Sequence, residues 1–129
     1  MVKLEQLTPG ASIRGTSVVE LGNRNRPLDL FAYTNATGSW LVCNTLRSAK
    51  DLFGPSKYWG VRVSVKLLNE NSPAKTNENA VRRDVKSAKG PAGIEILDSL
   101  SGATQVSKLS DSEMVALREN GDKLKLEVV

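Results

Sequence analysis

The chain has 129 residues, a length that suits one domain built around a single core. With 40% hydrophobic and 25% charged residues it has the composition of a soluble globular domain, and a net charge of +4 is too mild to require a nucleic-acid partner by itself. The lack of histidine excludes a His-based triad or a His-rich metal site, and the single cysteine, Cys43, excludes an intrachain disulfide framework.

Residues 2–8, with Val2 and Leu4 on one side, predict a strand. Pro9-Gly10 marks a turn, and residues 11–21, with Ile13, Val18, Val19 and Leu21, predict a second strand bulged at Gly15. Together they are expected to form an N-terminal hairpin. This segment lacks the apolar core of a signal peptide, and no run approaches the length of a membrane span, so no membrane partner is expected. Residues 22–27 read as a basic polar loop. Residues 28–33 and 39–46 predict two more strands, parted by the turn composition of residues 34–38. Cys43 sits in the run Trp40-Leu41-Val42-Cys43 and is expected as a buried small hydrophobe, with an intersubunit bridge as the alternative.

After a connection that ends in Gly54-Pro55 comes the clearest period in the chain. In residues 56–68, Val61, Val63, Val65 and Leu67 alternate with Arg62, Ser64, Lys66 and Leu68. Period two marks a half-buried strand, and the β-branched valines fit a pleated surface. The valines are expected on a dry face and the cations on a wet one. A wet face with fixed cations can meet a polyanion, or can simply be solvated. Charge placement favours the former, because residues 57–90 hold eight cations against three anions, while residues 91–129 are net acidic.

Residues 69–79 have no apolar period and read as a loop. Residues 80–87 predict a strand with Val81 and Val85 on one side, residues 86–93 a turn, and residues 94–100 a strand that ends at Ser101-Gly102. Ser110-Asp-Ser-Glu113 has the form of a capping box, with Met114 and Leu117 three apart behind it and Asn120-Gly121 as a stop, so residues 111–119 predict a short helix. Residues 123–129 alternate again, Leu124, Leu126 and Val128 against Lys125 and Glu127, and predict a last strand. The expected fold class is α+β: a single domain over residues 1–129, mainly antiparallel β-sheet, with a short C-terminal helix.

No catalytic constellation stands out, so no enzymatic activity, metal or cofactor is expected. Neither a P-loop nor a dinucleotide fingerprint is present. Asp84-Val-Lys86 has the spacing of the acid-x-lysine half of a metal-dependent nuclease site, with Glu95 as a conceivable second carboxylate, but such triplets are common by chance. The basic residues are more coherent. Arg62 and Lys66 share a strand parity, as do Arg82 and Lys86 on the next candidate strand. If those strands are neighbours, the four cations make one phosphate-binding patch. Tyr58 has the parity of Arg62 and is placed to stack on a base, whereas Trp59 is expected in the core.

Several of these stretches resemble the coat proteins of single-stranded RNA bacteriophages. Lys3-Leu-Glu-Gln-Leu-Thr-Pro-Gly, then Val18-Val-Glu-Leu and Asn23-Arg-Asn-Arg, is similar to the family's first hairpin. Lys57-Tyr58 leading into the alternating valine strand is similar to its central hairpin. The resemblance covers roughly residues 3–70. It implies a capsid protein whose two chains interlock as a homodimer, join their sheets into one RNA-facing surface and tile an icosahedral virion shell in the host cytoplasm. By position, Arg62, Ser64 and Lys66 would face RNA, with Lys57 and Tyr58 near the tip of a bound hairpin. The family's paired C-terminal helices have no counterpart in residues 123–129, which read as a strand. A second resemblance is to helicase-associated modules over residues 3–15 and to nuclease-like modules over residues 84–90 and 121–129. It implies a nucleic-acid-binding module, and a small domain for protein contacts is a third possibility.

Overall fold

The computed structural model describes residues 1–22, 25–47, 56–70, 80–82 and 91–129. Mainly antiparallel β-structure dominates them. A four-stranded sheet runs in the order β2-β3-β4-β6, from β2 (Asn25–Asn35), β3 (Gly38–Arg47), β4 (Tyr58–Ser64) and β6 (Ile94–Leu97). A three-stranded sheet runs β7-β8-β9, from β7 (Ala103–Lys108), β8 (Met114–Asn120) and β9 (Lys123–Val128). The β2–β3 and β8–β9 hairpins sit where turn residues interrupt alternating runs. In the first, the Asn35 side chain accepts from the Thr37 N–H at 3.0 Å, and Gly38 follows at φ +134°, a backbone state that other residues rarely adopt.

The two sheets pack face to face. Val42 of β3 meets Leu100, Ala103, Val106 and Ala116, with Phe31 and Tyr33 at the margin. Gly60 of β4 lies under Leu100, and a Cβ built on it would come within 2.4 Å of the leucine. The glycine is therefore a condition of close approach between the layers. The opposite face of the larger sheet is closed by a second cluster, Val63 and Ile94 against Val18 and Leu67. Leu67 reaches it from α1 (Lys66–Glu70).

One corner joins the sheets by polar contacts. The β2–β3 register slips between Pro27 and Leu30, a bulge that turns Asp29 out of the ladder. The Asp29 N–H donates to Asn44 Oδ1 at 2.8 Å, and its carboxylate accepts from the Val106 N–H at 3.0 Å. Asn44, fully buried, donates in turn to the Ala103 carbonyl at 3.3 Å. Main-chain groups of β7 are thus satisfied by side chains from the other sheet.

Several expectations are corrected. Residues 2–8 contain a 3-10 turn (Leu4–Gln6) instead of a strand, and only Val19–Glu20 (β1) of residues 11–21 is strand. The expected hairpin does not form; the segment closes on itself only where the Thr16 N–H donates to the Met1 carbonyl at 2.8 Å and the Met1 amino group donates to the Thr16 carbonyl at 2.6 Å. β1 instead pairs in parallel with β5 (Val81–Arg82). The central strand stops at Ser64 rather than Leu68: the Ser64 hydroxyl accepts from the Lys66 N–H at 3.4 Å in a local turn, and α1 follows from Lys66.

The C-terminal helix is absent: residues 114–120 are β8. The capping geometry itself forms, with Ser110 Oγ accepting from the N–H groups of Ser112 and Glu113 at 3.2 and 3.1 Å. However, the Glu113 carbonyl turns back to accept from Leu109 and Ser110, both at 3.0 Å, which closes a hairpin loop. Met114 onward then pairs with strands on both sides. Tertiary pairing overrides the local helix signal. β7 has no forerunner among the expected elements.

Candidate nucleic-acid interface

β4 holds Tyr58, Arg62 and Ser64 of the candidate residues, with Lys57 and Lys66 at its flanks, and its register shows where these three lie. Trp59, Val61 and Val63 are buried on one face, as the alternation predicts. Trp59 also carries the Arg47 guanidinium 3.5 Å from its ring centroid, a stacked cation that is itself buried. Arg62, Ser64 and Tyr58 share the other face with Trp40, Val42 and Leu46. That is the face covered by the smaller sheet, so the wet face expected for Arg62 is an interlayer face.

Arg62 tolerates this position because its neighbours match it. Its Nε donates to Glu95 at 2.7 Å, Nη1 donates to the Tyr33 hydroxyl at 2.8 Å, and the guanidinium lies 4.2 Å from the centre of the Trp40 ring. Its side chain is 22% exposed. The Tyr33 hydrogen bond, then the Glu95 one, outweigh desolvation and hold its pKa above the ordinary arginine value. The guanidinium is therefore engaged within the protein. Tyr33, Trp40 and Glu95 are the partners that sequence reasoning missed. Glu95 had a signal in its strand parity, but the neighbour relation of β4 and β6 did not.

The remaining candidates separate. Lys57 is exposed, with Nζ 5.3 Å from the centre of the half-buried Tyr58 ring. Ser64 and Lys66 lie at the other end of β4, about 20 Å away at the usual strand rise. Lys66 is exposed on α1 instead of sharing the strand face. Arg82 does not adjoin β4. It lies on β5 beside β1 and pairs with Glu20 at 2.9 Å. Lys86 falls outside the described residues, as do Asp84 and the rest of the nuclease-like triplet. A continuous four-cation patch is thus not assembled among the described residues. A recess of about 360 Å³ between the sheets at the Tyr33 end is lined in part by Asp111 and Glu113, a charge that disfavours phosphate.

No family model, no curated protein and no solved structure matches this chain. Functional inference therefore rests on the chemistry of the surface. Among the described residues no group of three or more Cys, Asp or Glu side chains converges as a metal site, and no helix is long and apolar enough to cross a membrane. Cys43 is buried, and burial, more than the Asp29 charge, pushes its thiol up to about 11. It is a protonated small hydrophobe at neutral pH, in the role expected for it.

Proposed function

We propose that the chain is a coat-type structural protein without catalytic function. It associates with further copies into an interlocked dimer and then a closed icosahedral virion shell, and it meets single-stranded RNA through exposed cations. The observation that carries the reading is β4 with its flanks: the Lys57-Tyr58 step and alternating valine strand of the coat resemblance, with an exposed lysine beyond each end. Lys57 and Lys66 are the primary phosphate contacts, Tyr58 offers a ring edge, and Ser64 offers a hydroxyl beside Lys66. Arg82, about half exposed, contributes from β5. Arg62 serves to tie neighbouring strands of the larger sheet in this reading, through Tyr33, Trp40 and Glu95.

The test is expression of the full chain, electron microscopy for closed particles, and titration of single-stranded RNA against salt. Each phosphate contact adds roughly 0.7 to the slope of log affinity against log salt, so Lys57→Ser with Lys66→Ser should flatten it by about 1.4. Arg62→Met should leave the slope as it is. Particles that never form, with no salt-dependent RNA binding, would sink the proposal, and metal-dependent DNA cleavage would point to the nuclease-like module.

A further inference from the structure

β9 is the outermost strand of the three-stranded sheet, and among the described residues none pairs with its free side. Met114 and Val129 exchange both main-chain hydrogen bonds, at 3.0 and 2.8 Å. Bonded residues alternate along an antiparallel pair. Glu127, Lys125 and Lys123 therefore also direct their main-chain groups at β8, and those of Leu124, Leu126 and Val128 point away from it. The side chains of these same three residues form an apolar row on the sheet's outer face, 58%, 69% and 61% exposed, beside half-buried Val115 and Leu117. Edge strands are often guarded by a proline, a bulge or charged side chains. β9 has no proline and no bulge in its pairing with β8, and its charges, Lys123, Lys125 and Glu127, sit on the residues that bond inward and can be matched by a partner of complementary charge.

We infer that β9 pairs antiparallel with β9 of a second copy about a two-fold axis through Leu126, joining two three-stranded sheets into one. In this register Leu126 faces its own equivalent and Leu124 faces Val128 of the second copy. The main-chain N–H and C=O of all three then find partners, because bonded residues lie opposite bonded residues. Between them, Lys125 faces Glu127 of the second copy and Glu127 faces its Lys125. The alternatives on either side fail on charge: moving the axis to Lys125 sets lysine against lysine, and moving it to Glu127 sets glutamate against glutamate. The strand is thus self-complementary in backbone, apolar row and charge at one register, which is the requirement of an isologous contact.

This inference deepens the shell reading, on which it rests for the need for a self-association surface, and it does not depend on RNA. The expected mass of the full chain by sedimentation or light scattering is that of a dimer at high concentration. Leu126→Pro removes an outward N–H without touching the β8–β9 ladder, so it should give single chains with an unchanged circular dichroism spectrum. Lys125→Glu and Glu127→Lys each place like charges opposite one another twice, and each should weaken self-association by about tenfold. Mixing the two variants restores both opposite-charge pairs, and the mixed dimer should form as tightly as the parent.

A parent that stays single at high concentration, a folded Leu126→Pro variant with the dimer's mass, or a mixture no tighter than its components would overturn the inference. Dimers that neither bind RNA nor close into particles would remove the shell reading alone. Particles built normally by the folded Leu126→Pro variant would remove the β9 contact alone.

Discussion

β4 and β9 both alternate apolar with polar or charged residues, yet β4 is largely covered on both faces and β9 holds its apolar face in water. On β4 Val63 packs on Val18 and Leu67, while the Arg62 side includes Gly60 and neighbours Val42, which lie under the smaller sheet and its Leu100. On β9 the charged side turns inward, where Glu127 accepts from Arg118 at 2.8 Å and pairs with Lys125 at 3.0 Å. Those two cations hold the Glu127 carboxylate below its ordinary range. Alternation fixes which side chains share a face. Whether that face is wet depends on what the rest of the chain lays over it. A cation is therefore half-buried on β4, because Tyr33, Trp40 and Glu95 of the same sheet receive it, while leucines of β9 stand in water because no described element covers them.

The contrast breaks most visibly at Leu100, which seals the Arg62 side of β4 and is fully buried. Leu100→Ala should cost about 2–5 kcal/mol, because it leaves a cavity over Gly60 that flat neighbouring strands cannot fill. Chemical denaturation measures it, and a loss under about 1 kcal/mol would mean that the layers are not in contact there. Arg62→Met comes next. It keeps an apolar stem against Trp40 and loses the bonds to Tyr33 and Glu95, for about 1–2 kcal/mol by the same measurement. An unchanged midpoint would return Arg62 to the solvated surface and reopen it as an RNA contact. The smallest effect belongs to β9. Leu124→Thr, at dilution that keeps chains apart, should move stability by less than about 0.5 kcal/mol, since an exposed side chain has little burial to lose. A larger loss would reveal a cover over β9 within the same chain.

The sequence carried the strands of residues 28–33, 39–46, 58–64, 94–97 and 123–128, because each has its own apolar run bounded by turn residues, but residues 22–27 read as a loop where β2 already begins at Asn25. It also carried the dry side of β4 and the burial of Cys43 and Trp59. It did not carry the second layer. β7 reads Ala-Thr-Gln-Val-Ser-Lys, with two apolar residues, and becomes a strand through its β8 pairing and its Asp29 and Asn44 contacts. Without the pairing of β2, β3 and β6 around β4, Arg62 had no partners in view, and the cationic face was taken as open. The capping box misled for a related reason: Ser110 makes the same hydrogen bonds at the head of a helix and in a hairpin loop, and only the partners beyond Glu113 distinguish the two. The candidate site was legible as a set of residue types, while its geometry depended on contacts distant in sequence.

Asp29 and Asn44 have a consequence for how many copies can join through the smaller sheet. By occupying Val106 N–H and the Ala103 carbonyl, they cover part of the β7 edge of that sheet, while among the described residues nothing pairs with the β9 edge. A sheet with two bare ends can add copies without limit, as amyloid does. One with a single bare end has a valence of one: it joins a second copy and is then complete. With β9 paired as inferred, the Asp29 bulge would act as a chain terminator for assembly, favouring a pair over a fibre.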